Sequence, residues 1–186
     1  MKFLASLAVT LFASPAPADP SLKELSGTWA DPIPYAYGPA YGHRSFTFDK
    51  GAWTLDFTLS FDPAGEVPVF RFRTGGTFTV TGVSPTVDGA WDADFGEDWK
   101  RVTLLHPDQA VATGFGLAVC DLTVGEEADI SATGCGPWKS VAACPTDHDL
   151  LKLTEAGLQF GQRPADNDMC TADRRPTVLT PPVVRQ

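Results

Sequence analysis

Apolar and polar residues alternate through the N-terminal half of the chain, and this alternation constrains the fold more strongly than any other feature. From Trp53 to Phe61 every second residue is apolar, and the residues between are polar. Successive side chains of a strand point to opposite faces of a sheet, so the pattern predicts a strand with one buried face. The turn-forming Asp49-Lys50-Gly51 separates this run from Phe46 and Phe48, which predicts a β-hairpin.

Further short strands are predicted along the rest of the chain, separated by turn-forming residues. They cover 67–73, 77–81, 91–95, 101–105, 119–124, 150–153 and 158–160. Gly75-Gly76 allows a break or bulge between the first two. One short helix is predicted over 108–115, and the Pro-rich end from 175 to 184 is predicted to be extended or an edge element. Together these patterns predict an all-β fold of about eight to ten antiparallel strands, as a barrel or a sandwich.

Residues 1–18 have the pattern of a signal peptide. Lys2 precedes an apolar core over 3–13, and small residues at 16–18 offer a cleavage site. We therefore expect an exported protein, periplasmic or secreted. The apolar core is too short to cross a bilayer, so no membrane span is predicted in the mature chain. No repeat or linker divides residues 19–186, and we expect them to form a single domain.

Charge and motifs argue against several classes of function. The formal net charge is −9, which disfavours nucleic acids and anionic membranes as partners. The chain has no nucleophile elbow, no phosphate-binding glycine loop and no zinc-protease motif. Its histidines, His43, His106 and His148, are scattered. We therefore predict that the protein is not an enzyme and needs no cofactor.

Four cysteines lie in the C-terminal third of the chain. An even number of cysteines in an exported protein predicts disulfides. Of the three possible pairings we favour Cys120 with Cys135 and Cys144 with Cys170, because each closes a loop of moderate length, worth about 3 kcal/mol in chain entropy. The alternative is a zinc site, since Cys144 and His148 have ligand-like spacing and the cysteines at 135 and 170 could complete it.

The acidic run from Asp88 to Asp98 is another candidate metal-binding pattern. Its carboxylates alternate beside a glycine, as in calcium loops. The later spaced carboxylate and the terminal glutamate of such loops are missing. We therefore interpret the run as a solvated strand face with a turn, and we predict no metal site.

The most specific pattern is in the C-terminal part of the chain. It consists of Gly161, Gln162, Arg163, Pro164, Ala165 and Asp166, followed by Arg175, Thr177 and 182–184. Shorter matching segments precede it in order: Leu25, Gly27 and Trp29; Arg44, Phe46 and Phe48; Pro68 and Phe70; Cys120; 129–135; and 149–153. In this order they resemble the adenomatosis polyposis coli down-regulated domain family, as a single-domain, bacterial-type member. The segment 27–29 is also similar to the start of lipocalin-type barrels.

The chain departs from this family in two places. Family members carry Cys-Glu-x-Arg-Pro soon after the tryptophan, where this chain has 30–35. A second family cysteine, just before the Pro-x-Phe segment, is replaced near Glu66-Val67. Together the two departures correspond to one lost disulfide.

The resemblance implies a lipocalin-like open barrel, or half-barrel, with an apolar cavity that can take an acyl chain. Its predicted lining residues are Trp53, Leu55, Phe57, Phe61, Phe70, Phe72 and Phe78; the alternative for each is ordinary core packing. The motif residues are Gly27, Trp29, Arg44, Gly161, Gln162, Arg163, Pro164 and Asp166. Among them, Arg163 is predicted to have a structural role by packing over the ring of Trp29.

Two functions are compatible with these patterns. The first is a non-catalytic binding protein that holds a hydrophobic small molecule or lipid inside the barrel. The alternative is an envelope or extracellular protein-interaction module with a filled core. Its candidate surface is the loop from 33 to 42, which carries Tyr35, Tyr37 and Tyr41.

Overall fold

A computed structural model describes Leu22 and residues 25–186. The signal-peptide prediction falls outside these residues. Among them, no helix is long and apolar enough to cross a membrane.

The predicted hairpin is formed by β3 (Ala40–Asp49) and β4 (Ala52–Ser60). The two strands are antiparallel, with Asp49 opposite Ala52. Lys50 and Gly51 connect them with φ values of 51° and 84°. Positive φ at both central positions is typical of the tight turn that matches the twist of paired strands.

Among the described residues, the fold also contains nine more strands and a short α-helix. They are β1 (Gly27–Ala30), β2 (Tyr35–Tyr37), β5 (Pro68–Val83), β6 (Trp91–Gly96), β7 (Trp99–Leu104), α1 (Gln109–Gly114), β8 (Glu127–Asp129), β9 (Thr146–Thr154), β10 (Gly157–Phe160) and β11 (Val184–Arg185). The main strand order is β10-β9-β6-β5-β4-β3-β1-β11, and all pairs are antiparallel. The predicted all-β open barrel with one short helix is confirmed.

The longest strand, β5, is continuous where two strands were predicted. Its first half pairs with β4 and β7, and its second half pairs with β6. Gly75-Gly76 does not break the strand. The two positions require glycine, because the neighbouring backbone lies too close for any side chain. A Cβ at Gly76 would lie 2.3 Å from the carbonyl oxygen of Gly96.

The C-terminal segment brings the sheet close to a closed barrel. Val183 forms a bridge to Leu158 of β10, and β11 pairs with β1. The extended conformation predicted for the Pro-rich end is therefore what allows it to lie between the two edges of the sheet.

The region between β7 and β9 differs from its prediction. The predicted strand over 119–124 is wrong: Ala118–Cys120 is a 3-10 turn, and Asp121 has a positive φ of 49°. The predicted helix is present as α1, and Asp108 caps it by accepting a hydrogen bond from the Ala110 N–H at 2.8 Å.

Buried apolar side chains form two clusters. The barrel cluster includes Phe46, Phe48, Trp53, Phe78, Phe95, Phe160, Leu22 and Leu25. The disulfide cluster includes Leu59, Phe70, Phe72, Val102, Leu104, Cys135 and Ala112 of α1.

The cysteines pair as favoured from loop length. Disulfides join Cys120 to Cys135 and Cys144 to Cys170. The alternative zinc site is therefore wrong, because the sulfur atoms that would bind the ion are consumed in the two bonds. Such bonds are typical of an oxidising compartment.

Candidate functional site

A layer of polar side chains separates the two apolar clusters inside the barrel. On β3, Arg44 lies between Ala40 of the disulfide cluster and Phe46 of the barrel cluster. Thr74 occupies the equivalent position on β5, and Lys100 lies one step before Val102 on the inward face of β7. All three are buried. We call this level of the interior the middle layer.

Strand β4 crosses the middle layer with apolar side chains. Alternate residues of a strand share a face, so Trp53, Leu55, Phe57 and Leu59 all point inward. Trp53 and Leu59, at the two ends, are only 4% and 2% exposed. Leu55 and Phe57, between them, are partly exposed. Solvent therefore reaches the interior face of the barrel at the middle layer.

Aromatic rings of β2 and β5 extend this apolar wall. The Tyr37 ring lies 5.5 Å from that of Phe57 and 5.9 Å from that of Tyr35. Gly42 permits this packing, because a Cβ there would lie 2.7 Å from the Phe57 ring. On the other side, Phe70 lies 6.0 Å from Phe57.

The loops next to the two disulfides contribute another aromatic ring and a cation. Trp138 is partly exposed and stacks on Phe72, with ring centroids 4.5 Å apart. The Asn167 side-chain amide donates to the Pro137 carbonyl at 3.1 Å. The Arg163 Nε in turn donates to Asn167 Oδ1 at 2.5 Å. These contacts link the loop that carries Trp138 to Arg163 through Asn167.

A buried ion pair fixes one part of the middle layer. The Arg44 guanidinium donates to both carboxylate oxygens of Asp31, at 3.0 and 2.7 Å. It also donates to Thr180 Oγ1 at 2.6 Å, so it connects β3 to the C-terminal segment. The Tyr35 ring lies over the guanidinium at 4.4 Å. Burial raises the pKa of the Tyr35 hydroxyl above its ordinary value, against the effect of Arg44.

Arg163 is the charged group of the layer that solvent can reach, with 30% of its side chain exposed. Its Nη1 donates to Asp147 Oδ2 at 2.6 Å. Desolvation opposes the charged form of Arg163, but the carboxylates of Asp147, Glu97 and Asp149 together outweigh it and raise the pKa. Arg163 therefore stays cationic.

Two further carboxyl groups are buried at this level. Asp149 accepts hydrogen bonds from the N–H groups of Leu150 and Gly161, at 2.6 and 2.8 Å. Burial raises the pKa of its carboxyl to about 6. Burial also raises the pKa of Glu97, which contacts Lys100 Nζ. The middle layer is thus apolar along β4 and charged on the strands that surround it.

The seven predicted lining residues do not form one surface. Trp53 and Phe78 belong to the barrel cluster, with Leu55 packed against it. Phe70 and Phe72 belong to the disulfide cluster, with Phe57 packed against it. The polar middle layer causes this division. The prediction that Phe61 lines the interior is wrong, because its side chain is exposed and its ring lies 5.7 Å from that of His106.

Arg163 does not pack over Trp29, so that prediction is wrong. The Asp147 and Asn167 side chains hold Arg163 at the opening. Arg185 takes the expected place, with its guanidinium 5.9 Å from the Trp29 ring, because β11 pairs with β1 and sets Arg185 opposite Trp29.

The other motif residues have local structural roles. Gly27 has a φ of 84°. Gly161 has no room for a side chain, since a Cβ would lie 2.4 Å from Asp149 Oδ1. The Gln162 N–H donates to Val178 at 2.7 Å, and Pro164 accepts from the Asn167 N–H at 2.9 Å. Asp166 forms an exposed ion pair with Arg174.

Two surfaces differ from their predictions, because the C-terminal segment covers one and the pairing of β2 divides the other. The acidic strand face of β6 is covered by Arg175, which donates to Asp94 Oδ1 at 2.8 Å and lies 3.4 Å from Asp92, so it is not simply solvated. The three tyrosines of the predicted interaction loop do not share one face: Tyr35 and Tyr37 pack against Arg44 and Phe57, whereas Tyr41 lines the groove on the outer face.

Sequence reasoning missed several residues of the middle layer, notably Asp31, Lys100 and Asp147. Lys100 had a signal: it alternates with Val102 and Leu104 on the inward face of β7. No local pattern indicated Asp31, because its ion-pair partner Arg44 lies on a separate part of the chain, in β3.

Comparison of the chain with models of known protein families and with curated proteins finds no match in either. The resemblance to the adenomatosis polyposis coli down-regulated domain family therefore stays a prediction. What the structure defines is a class: a disulfide-bonded, nearly closed antiparallel β-barrel.

Proposed function

We propose that the protein is an exported, non-catalytic binding protein that holds a hydrophobic small molecule or a lipid, such as a fatty-acyl chain, in the middle layer of its barrel. The observation that carries this proposal is the partial exposure of Leu55 and Phe57. Both point into the barrel, while Trp53 and Leu59 on the same face are buried. In a fully packed core all four would be buried.

The arrangement favours an amphiphilic ligand. Its apolar part would cover Leu55, Phe57 and Tyr37. Burying about 200 Å² of apolar surface would contribute about 5 kcal/mol before the cost of ordering the ligand. A polar end group would face Arg163, the solvent-accessible cation of the layer. Export is supported by the two disulfides, since cytosolic thiols are kept reduced.

The proposal can be tested by filling the middle layer. Leu55→Trp places a large ring against Phe57, and Val83→Trp is the matched control at an exposed apolar site at the end of β5. We expect a fluorescent fatty acid to bind the wild type and the control, and to lose at least about tenfold in affinity for Leu55→Trp, which corresponds to about 1.4 kcal/mol. Equal binding by all three proteins, or no binding by any, would contradict the proposal.

A protein-interaction module is the second candidate. It is supported by a groove of about 470 Å³ on the outer face of β3 and β4, lined by Ile33, Tyr41, His43, Thr58 and neighbouring prolines. Ile33 is 72% exposed at its edge. Pull-down with the wild type and with Ile33→Ser would test this function; a partner retained equally by both would exclude the groove as its binding site.

A further inference from the structure

The open end of the molecule brings two chain segments together. The first is the β4–β5 turn (61–67), and the second is the segment 105–126 that contains α1. The Phe61 ring lies 5.7 Å from His106 and 6.1 Å from Phe115. The N–H groups of residues 105 and 106 both donate to the Val69 carbonyl. We call these two segments the turn end.

The turn end exposes four large apolar side chains. They are Phe61, Val67, Val119 and Val124, and their exposed fractions run from 40% for Phe61 to 83% for Val119. A single exposed apolar side chain is common on protein surfaces. Several on adjoining segments are typical of an interaction site.

The groove on the outer face of the barrel adjoins the same turn. Pro63, Ala64 and Gly65 form one of its walls, and Ile33 and Tyr41 contribute to the rest. Apolar surface therefore extends from the turn end into a concave site that an extended or helical segment could enter.

The charges around this surface have one sign. The turn end contains Asp62, Glu66, Asp108, Asp121 and Glu126, and its sequence contains no lysine or arginine. Among the described residues, none of these five carboxylates lies in an ion pair. Nearby acids on the strands do have cationic partners, as Asp56 has in Arg71 and Glu127 in Arg73. Among the described residues, the turn end therefore combines exposed apolar side chains with carboxylates that have no cationic partner.

We propose that the turn end is a docking surface for a cationic, amphipathic segment of another protein. The apolar side chains of that segment would pack against Ile33, Phe61 and Val67. Its lysine or arginine side chains would face Glu66 and Glu126. Charge complementarity selects this partner over an anionic membrane, which the acidic groups would repel. The inference deepens the second candidate function, and it does not depend on a ligand inside the barrel.

The experiment uses the full mature protein and a fluorescein-labelled peptide of leucine and lysine that forms an amphipathic helix. A second peptide carries glutamate in place of every lysine. Binding is measured by fluorescence anisotropy at low and high salt. We expect the cationic peptide to bind at least about tenfold more tightly than the acidic one, and to lose affinity in high salt.

Variants then locate the binding site. Glu66→Lys with Glu126→Lys should weaken binding of the cationic peptide at least about tenfold, and Phe61→Ser with Val67→Ser should do the same. Glu155→Lys and Val178→Ser are matched controls, exposed elsewhere on the surface, and should change affinity less than about twofold.

Three results would overturn the inference: equal affinity for the two peptides, equal weakening by the control variants, or binding of phosphatidylglycerol vesicles in place of the cationic peptide. Fatty-acid binding is measured on the same variants. If it persists while peptide binding fails, the docking surface is refuted and the interior site is unaffected.

Discussion

Replacing the buried carboxyl of Asp149 with the amide of asparagine should change how stability depends on pH. In the folded protein, burial raises the pKa of Asp149 from 3.8 to about 6. In the unfolded chain the group titrates near its ordinary value. Between these two values the folded state binds more protons than the unfolded state. The free energy of unfolding of the wild type should therefore fall as pH rises from about 4 to about 6.

The size of the effect follows from the shift. About two pKa units at about 1.4 kcal/mol each give a contribution on the order of 3 kcal/mol. Asp149 is buried, so solvent screening reduces this little. The asparagine side chain of the variant would not titrate, and its oxygen could still accept the hydrogen bonds from Leu150 and Gly161.

The assay is urea unfolding followed by tryptophan fluorescence, at several pH values from 4 to 8, for the wild type and for Asp149→Asn. We expect the variant to lack the decrease of about 3 kcal/mol that the wild type shows as pH rises from about 4 to about 6. Glu97, whose pKa is also raised by burial, titrates in both proteins and cancels in the difference. Parallel pH profiles would refute the assignment of a raised pKa to Asp149.

Two further predictions test the fold. Arg163→Ala should lower the free energy of unfolding by about 3 kcal/mol, because it leaves Asp147 buried without its cation. Arg185→Ala removes only an exposed cation–ring contact and should cost less than about 1 kcal/mol. Thermal and urea unfolding compare the two variants, and a larger loss for Arg185→Ala would be inconsistent with the structure. Gly76→Ala should lower the free energy of unfolding by at least about 2 kcal/mol, because its Cβ would meet the Gly96 carbonyl. A Cβ at Gly82 in the same strand meets nothing within 4 Å, so Gly82→Ala should cost less than about 1 kcal/mol. Equal free energies of unfolding for the two variants would show that β5 does not run as described.

Local patterns explain which parts of the fold could be predicted. The β3–β4 hairpin was predictable because its signal is contained in one stretch: alternation on both sides of a turn that tolerates positive φ at Lys50 and Gly51. The three-residue strand β8 was not, because Glu127–Asp129 is held only by pairing with β7. The disulfide pairing was favoured correctly because loop length alone separated it from the alternatives.

The candidate site was less accessible to prediction than the fold. Alternation along β4 correctly indicated that Leu55 and Phe57 share a face, but it could not show that charged residues from other strands lie at the same level. The middle layer depends on register between distant strands, such as the pairing that sets Phe95 opposite Asp147. Arg163 was singled out by its motif, yet its partner Asp147 could be identified only once β9 was placed.

A ligand that enters the barrel at the middle layer, as proposed, must contact Leu55. The measurement is NMR of the protein with labelled leucine methyl groups, titrated with a fatty acid that carries a nitroxide on its chain. We expect the Leu55 methyl signals to broaden strongly, while those of the exposed Leu153 on β9 change little. If Leu153 broadened as much as Leu55, or if the Leu55 signals were unchanged at saturating ligand, the interior binding site would be contradicted.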